Sequence, residues 1–462
     1  MAAILGLLDT ETFESERFKN VRRAVFYQYP AGAAPLTGLL TMLKNEETDD
    51  PEFAWWEKRL EEQWVNNDDI STTIVFYKTV TGLASTTYAS GTGTWTIADG
   101  NITFAVGTTY GMKLVSGGAE KFRPGHVFKV TVLDASANEM ELQGTVSTYG
   151  VDGSNDRIAF TPVAALSAAC DYDGANSGKR IDILSSAAFE GSVDRSVGRY
   201  NKPVKLTNYT GIHRTPFTMS GTKLNTSVMF DDTGAYADMA KEHSVKHMIE
   251  HERQYIFGEK GEDTTSGDEP LRHTGGILYF LRQWERTSGN PYGVDGATTD
   301  SADGKRIIAN STGVMTESLY DDYVERVFRV TNNTVNEKLV LCGSGFLKTI
   351  NQLYRSKTQL QSDLPMSDTY GMDVIKHRSS QGTMYYKTHP LFSQHPTLRY
   401  SALILDVQNL VYRYVIGRDT ALLTQRQPND ADYRKDEWLT ESGLEVRFPE
   451  SHMFLQNVTS YA

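Results

Sequence analysis

The longest helical pattern in the chain runs from Asp231 to Phe257, DDTGAYADMAKEHSVKHMIEHERQYIF. Val245, Ile249 and Ile256 share one stripe at the 3.6-residue period, with Met248 and Tyr255 beside it and Glu252 inside it. No proline interrupts the run. Asp231, Asp232 and Thr233 offer capping oxygens to its first turn, and Gly258 stands where a C-terminal cap would sit. Lys241, Glu242, Lys246, Glu250 and Arg253 fill the other faces, and Glu242 with Lys246 is an i,i+4 pair worth ~0.3–0.5 kcal/mol. The pattern predicts one long helix with a narrow apolar face, suited to an exposed spine.

A short helix is predicted after Pro35, where Leu36, Leu39, Leu40 and Leu43 repeat at i, i+3, i+4 and i+7 within an N-terminal arm. From about Thr72 to Leu184 the period changes to two. NITFAV, HVFKVTVL, MELQGTVSTY and RIAFTPV alternate with the turn signals SGG, DASAN and DGSND. This predicts a small all-β domain inserted into a larger parent.

Beyond the long helix come RHTGGILYFLRQW and then a helix opening near Thr316, amphipathic through Leu319, Tyr320, Tyr323, Val324, Val327 and Phe328. Leu339 to Gly343 reads as a buried strand turning into the helix SGFLKTINQLY, and DVIKH, TMYYKTH, ALILDV and VYRYVI read as further strands. These predict a compact α/β or α+β domain. The ending EWLTESGLEVRFPESHMFLQNV alternates and predicts a last strand with its return.

At 462 residues the chain has room for about three domains of ~150 residues. A net charge of −12 argues against a protein that grips nucleic acid through phosphate contacts. Two cysteines, Cys170 and Cys342, fit a reducing compartment better than a disulfide framework. The apolar residues Ala2 to Leu8 follow no basic segment, so a signal peptide is not expected. No apolar run reaches the ~18 residues of a membrane span.

Charge is unevenly distributed. Asn45 to Asp69 carries ten carboxylates against Lys58 and Arg59, a local −8, with Trp55, Trp56 and Trp64 embedded. Gly191 to Thr215 carries Arg195, Arg199, Lys202, Lys205 and Arg214 against Asp194, a local +4. Acid mixed with large aromatics predicts a docking surface. A basic extended segment in the same chain makes docking between copies the economical reading.

His247-Met248-Ile249-Glu250-His251 matches the inverted zincin pattern H-x-x-E-H, in which two histidines bind zinc and the glutamate acts as base. His243 extends the row by one turn. Because these positions lie opposite Val245 and Ile249, an exposed polar stripe is the expected reading. Gly343-Ser344-Gly345 lacks the third glycine of a phosphate cradle, and capping by Ser344 accounts for it. Gly178-Lys179 and Gly304-Lys305 fail the P-loop spacing, since Asp173 and Thr299 stand in the first-glycine place. His389-Pro390 and His395-Pro396 read as loops.

The order of acidic arm, basic extended segment, long helix and α/β domain with a returning last strand resembles the Hong Kong 97-type fold of tailed-bacteriophage major capsid proteins. Within it, PLTGLLTML, EFAWWEKRL, EGSVDRSVGRYNKPVKLTNYTGIHRTPFTMSGT, EHSVKHMIEHERQYIFGEK, RHTGGILYFL and LTESGLEVRFPESHMFLQNV are similar to the SU-ten-like major capsid family. The resemblance implies an α+β capsid chain in five parts. These are an N-terminal arm (1–52), an extended loop (53–71 and 185–226), the inserted β domain (72–184), a peripheral domain with the spine helix (227–330, 428–462), and an axial domain (331–427).

The resemblance also implies self-assembly as hexamers and pentamers into an icosahedral shell around double-stranded DNA. No enzyme activity, cofactor, metal or membrane enters that reading. Expected partners are a separate scaffolding protein, a portal and a decoration protein, with assembly in the host cytoplasm and residence in the virion. Arg195, Arg199, Lys202, Lys205, Arg214, Trp55, Trp56 and Trp64 are the expected contact residues between copies. The competing readings are a zinc metalloprotease using His247, Glu250 and His251, and a β-rich adhesin or tail component.

Overall fold

The computed structural model describes residue 36 and residues 45–59, 64–66, 76–81, 94–97, 102–114, 118–134, 136–150, 156–170, 179–187, 190, 202–225, 235–264, 269–286, 292, 305–329, 336–355, 367–369 and 372–461. The chain divides into two units, Met1–Glu57 with Val204–Ala462, and Lys58–Pro203. The expected caps Asp231, Asp232 and Thr233, the leucine repeat after Leu36, and Arg195 and Arg199 lie outside the described residues.

The Lys58–Pro203 unit is one eight-stranded sheet, antiparallel throughout. Its order is Trp64–Asn66, Arg180–Ser186, His126–Leu133, Glu139–Gly150, Arg157–Pro162, Tyr110–Lys113, Phe76–Thr81, Thr94–Ile97. The two-residue period predicted from HVFKVTVL holds, for Phe128, Val130 and Val132 all point into the core. They meet Phe76, Phe104, Phe122 and Phe160, with Phe128 edge-on to Phe160 at 5.1 Å. A Cβ on Gly144 would approach the Phe160 ring to 2.7 Å, so that strand position has no room for a side chain. Trp64 was expected in the extended loop. It stands instead in the sheet's first strand, beneath the Arg180 guanidinium at 4.8 Å.

The other unit holds two larger sheets. The seven-stranded mixed sheet runs Ile307–Ala309, Met453–Gln456, Ala402–Leu405, Glu337–Cys342, Thr383–Thr388, Met372–Arg378, Ser367–Thr369. Strand alternation sends Val340 and Cys342 to one face, where the helix Glu317–Arg329 packs through Tyr320, Tyr323, Val324, Val327 and Phe328, with Phe346 and Ile350 of Ser344–Arg355 beside it. Leu339 and Leu341 go to the opposite face and join Tyr255, Ile256, Tyr412 and Leu444. Burying such side chains is worth ~1.5–3 kcal/mol each.

The five-stranded sheet runs Asn45–Thr48, Leu410–Val415, Tyr433–Val446, Gly211–Ser220, with Ala421–Leu423 also paired to Tyr433–Val446. Gly211–Ser220 was expected in the extended loop and is a ten-residue strand here. The sheets also cut across the expected peripheral and axial segments. Leu410–Val415 pairs with Tyr433–Val446, whereas Met453–Gln456 pairs with Ala402–Leu405. Among the described residues the long helix is Ala235–Phe257, and it lies across this five-stranded sheet.

Candidate assembly ribbon and the buried histidine layer

Within the unit formed by Met1–Glu57 and Val204–Ala462, the chain forms a two-stranded antiparallel ribbon, Glu52–Glu57 with Val204–Tyr209. Its alternation is strict: Phe53, Trp55 and Glu57 are buried, while Glu52, Ala54 and Trp56 are exposed. Phe53 stacks on Trp55, and Trp55 meets Phe280 edge-on at 5.6 Å. Glu57 Oε1 accepts the Trp55 indole N–H at 3.0 Å and the Phe448 backbone N–H at 3.1 Å, which satisfies a buried carboxylate locally.

On the partner strand, buried Asn208 ties the ribbon down. Its amide donates to Leu444 O (2.7 Å), Gly275 O (3.0 Å) and Thr274 Oγ1 (3.2 Å), and its Oδ1 accepts the Gly275 N–H at 2.8 Å. Lys260 Nζ adds bonds to Thr207. Gly443 allows the close approach, because a Cβ there would lie 2.7 Å from the Phe53 ring and 2.8 Å from Tyr209 O.

The expected contact residues are therefore sorted by the fold. Trp55 belongs to its own subunit's core and cannot dock on a neighbour. Trp56 is 64% exposed, and its cross-strand neighbour is exposed Lys205. Lys202 is exposed near the ribbon's end.

The expected acidic and basic surfaces are also partly consumed inside one subunit. Arg214 is exposed but grips buried Glu437 in a bidentate pair at 2.7 and 2.8 Å. Glu46 of the acidic stretch pairs with Arg413 at 2.6 Å, and Glu47 accepts from Tyr414 OH at 2.9 Å. Glu437, Glu441 and Glu445 line one face of the last long strand, and Arg214, Arg418, Arg413 and Arg447 cover them.

The long helix buries Tyr255, Ile256 and Glu252 as expected, but its middle turns depart from the expected orientation. His247 and His251 are buried against the sheet, whereas Met248 is 46% exposed and Val245 and Ile249 are half-buried on the outer side. The cause is the sheet face itself, which presents hydroxyls. Thr215 Oγ1 lies 2.8 Å from His247 Nδ1, and Thr440 Oγ1 lies 2.9 Å from His247 Nε2. His247 Nε2 and His251 Nε2 are 3.1 Å apart, His251 Nδ1 is 3.3 Å from Tyr255 OH, and that hydroxyl is 2.6 Å from Ser442 Oγ.

His213 closes the layer, its ring centroid 4.4 Å from that of His251, and His243 stacks on Phe217 at 5.3 Å. Burial holds His213 and His247 down at about 4 and His251 at about 2, with the neighbouring imidazoles adding to the effect. Burial also lowers His243.

For the zinc reading, this geometry offers histidines bonded to each other and to hydroxyls. Glu250 accepts from Thr215 Oγ1 at 3.2 Å, and among the described residues no group of three ligands could hold a metal ion.

Glu252, also read on the apolar stripe, is buried on the side of the helix away from the histidines. Its Oε1 accepts the Leu36 backbone N–H at 2.9 Å and the His389 Nε2–H at 2.7 Å. His389 was expected in a plain loop and is fully buried. Asn208, His389 and Gly443 were missed by the sequence reading. For Asn208 a signal existed, since it takes an inward position in VKLTNY after Leu206.

The chain belongs to the SU10 major capsid protein family, whose match extends over residues 11–459. With that family comes the Hong Kong 97-type capsid fold and a structural role. A major capsid protein of Pseudomonas phage PaMx41 is 24% identical over 242 residues, 51% of this chain and 52% of the relative. The chain thus aligns with about half the length of that curated relative.

Among solved structures, the cyanophage A-1(L) capsid asymmetric unit aligns at 10% identity and a TM-score of 0.38, covering 59% of this chain and 85% of the other. The mature capsid of bacteriophage PhiM1 aligns at 11% identity and a TM-score of 0.35, covering 59% and 79%. The family match gives no support to the metalloprotease or adhesin readings.

Proposed function

We propose that this chain is the shell-forming subunit of a tailed-phage head, assembling with copies of itself as hexamers and pentamers around double-stranded DNA. The family match over residues 11–459 carries this reading. The net charge of −12 supports it, because a lining that repels phosphate leaves the genome free to be packed and released. On this reading the protein resides in the virion capsid and assembles in the host cytoplasm. Scaffolding, portal and decoration proteins are its expected partners.

Contact between copies is assigned to the exposed ribbon face. Trp56 is the anchor, with Lys205 and Lys202 as charged neighbours. Arg195 and Arg199, outside the described residues, precede the ribbon in sequence and carry the same sign of charge. A solvent-exposed tryptophan on a rigid ribbon has the character of an interface hot spot, where truncation costs ~2 kcal/mol or more per contact.

Trp56→Ala combined with Lys205→Glu should leave the subunit's thermal unfolding within about 2 °C of wild type, since neither side chain is in the core. The variant should remain as small oligomers where wild type sediments as large particles. Normal particles from the double variant, at the same protein and salt concentrations, would remove the ribbon from the interface.

A further inference from the structure

We propose that the imidazoles sealed between the long helix and the five-stranded sheet form an acid-operated release, in which protonation detaches the helix from the sheet. The bonding pattern dictates it. Thr215 Oγ1 donates to Glu250 Oε2, so its lone pair receives the proton on His247 Nδ1. His247 Nε2 is then bare and accepts from His251 Nε2–H at 3.1 Å, while His251 Nδ1 accepts from Tyr255 OH. Each ring carries one proton, and the chain runs in one direction to the helix surface.

A second proton on His247 would set two N–H groups against each other across 3.1 Å. A second proton on His251 would bury a cation beside His213, whose Nε2 is buried and has no hydrogen-bond partner among the described residues. His247 Nε2–H could turn to Thr440 Oγ1 at 2.9 Å and His251 could shift its proton to Nδ1, but the added charge stays buried while the helix is seated.

Few opposite charges are close enough to soften this. On the helix, Glu250 bonds Thr215, and Glu242 pairs with Lys246 at 2.6 Å. On the last strand Asp436 is engaged by Arg434 and Tyr236, and in the adjoining hairpin Asp419 accepts from Tyr412 OH. His273 adds further positive potential near His213 on protonation.

Burial keeps His213, His247 and His251 neutral in the folded chain, below their ordinary value of ~6.5. Their contribution to stability is therefore complete above about pH 6.5. It declines as pH falls, down to about 4 for His213 and His247 and about 2 for His251, because only the opened state takes up protons there. Each histidine released makes opening about tenfold more favourable per pH unit.

Amide hydrogen exchange on the full-length protein between pH 7 and 5 tests this. Protection of amides in residues 243–257 should fall by about tenfold per pH unit for each of the three histidines, ahead of the strand Glu337–Cys342. His247→Gln keeps polar partners for Thr215 and Thr440 but cannot titrate, so it should lose one tenfold factor per pH unit. His395→Gln, at an exposed position, should keep the wild-type slope. Helix protection that tracks the strand across this range, or a wild-type slope in His247→Gln, would overturn the proposal. If His247→Gln fails to fold, the wild-type comparison of helix with strand still decides.

Discussion

Glu252→Ala will destabilise the subunit by about 3–5 kcal/mol, because one carboxylate oxygen serves two buried donors. The Leu36 N–H and the His389 Nε2–H both end on Oε1, and the side chains of Glu252 and His389 are inaccessible to solvent. His389 Nδ1 accepts the Leu391 N–H at 3.2 Å, which fixes the proton on Nε2 and aims it at Glu252. Removing the carboxylate strands both donors and opens a cavity under Leu36, itself fully buried. Glu252→Gln retains an acceptor oxygen and the volume, so its effect should be about half as large. Urea unfolding of the three proteins reads the order directly. A Glu252→Ala variant within about 1 kcal/mol of wild type would mean that this oxygen does not hold the arm to the helix.

Asp406→Ala will have an effect of similar size through a buried ion pair. Lys338 Nζ contacts Asp406 Oδ2 at 2.9 Å and Ser451 O at 3.2 Å, and both side chains are almost completely buried. Burial lowers the Lys338 pKa and Asp406 opposes that shift, so the carboxylate is what keeps the ammonium tolerable. Removing it leaves an uncompensated charge, a loss of about 3–5 kcal/mol. Replacing both partners, as Lys338→Met with Asp406→Leu, should recover most of the loss. The recovery will stay incomplete, because Asp406 Oδ1 also caps the Gln408 N–H at 3.2 Å. A double variant less stable than Asp406→Ala alone would contradict this account of the pair.

Period and turn chemistry made the β unit legible, since HVFKVTVL carries Phe128, Val130 and Val132 inward at alternate positions. The long helix was legible in its course to Phe257 and in the burial of Tyr255 and Ile256, but not in the burial of His247 and His251. Apolar periodicity assigns the buried face only when the receiving surface is apolar. Here the sheet offers Thr215, Thr440 and Ser442, and the imidazoles satisfy them. The ribbon was read for its charge, although Phe53, Trp55 and Glu57 already alternated towards the core. The pairings of Arg214 with Glu437 and Glu252 with His389 join residues remote in sequence, which a single chain does not announce.

If the proposed function holds, this chain builds a closed shell from copies of itself. Electron microscopy of the expressed full-length protein tests that most directly. Wild type should form closed, uniform icosahedral particles, and Trp56→Ala with Lys205→Glu should form none. Wild-type protein that stays monomeric, or forms only irregular aggregates with or without a co-expressed scaffolding protein, would contradict it.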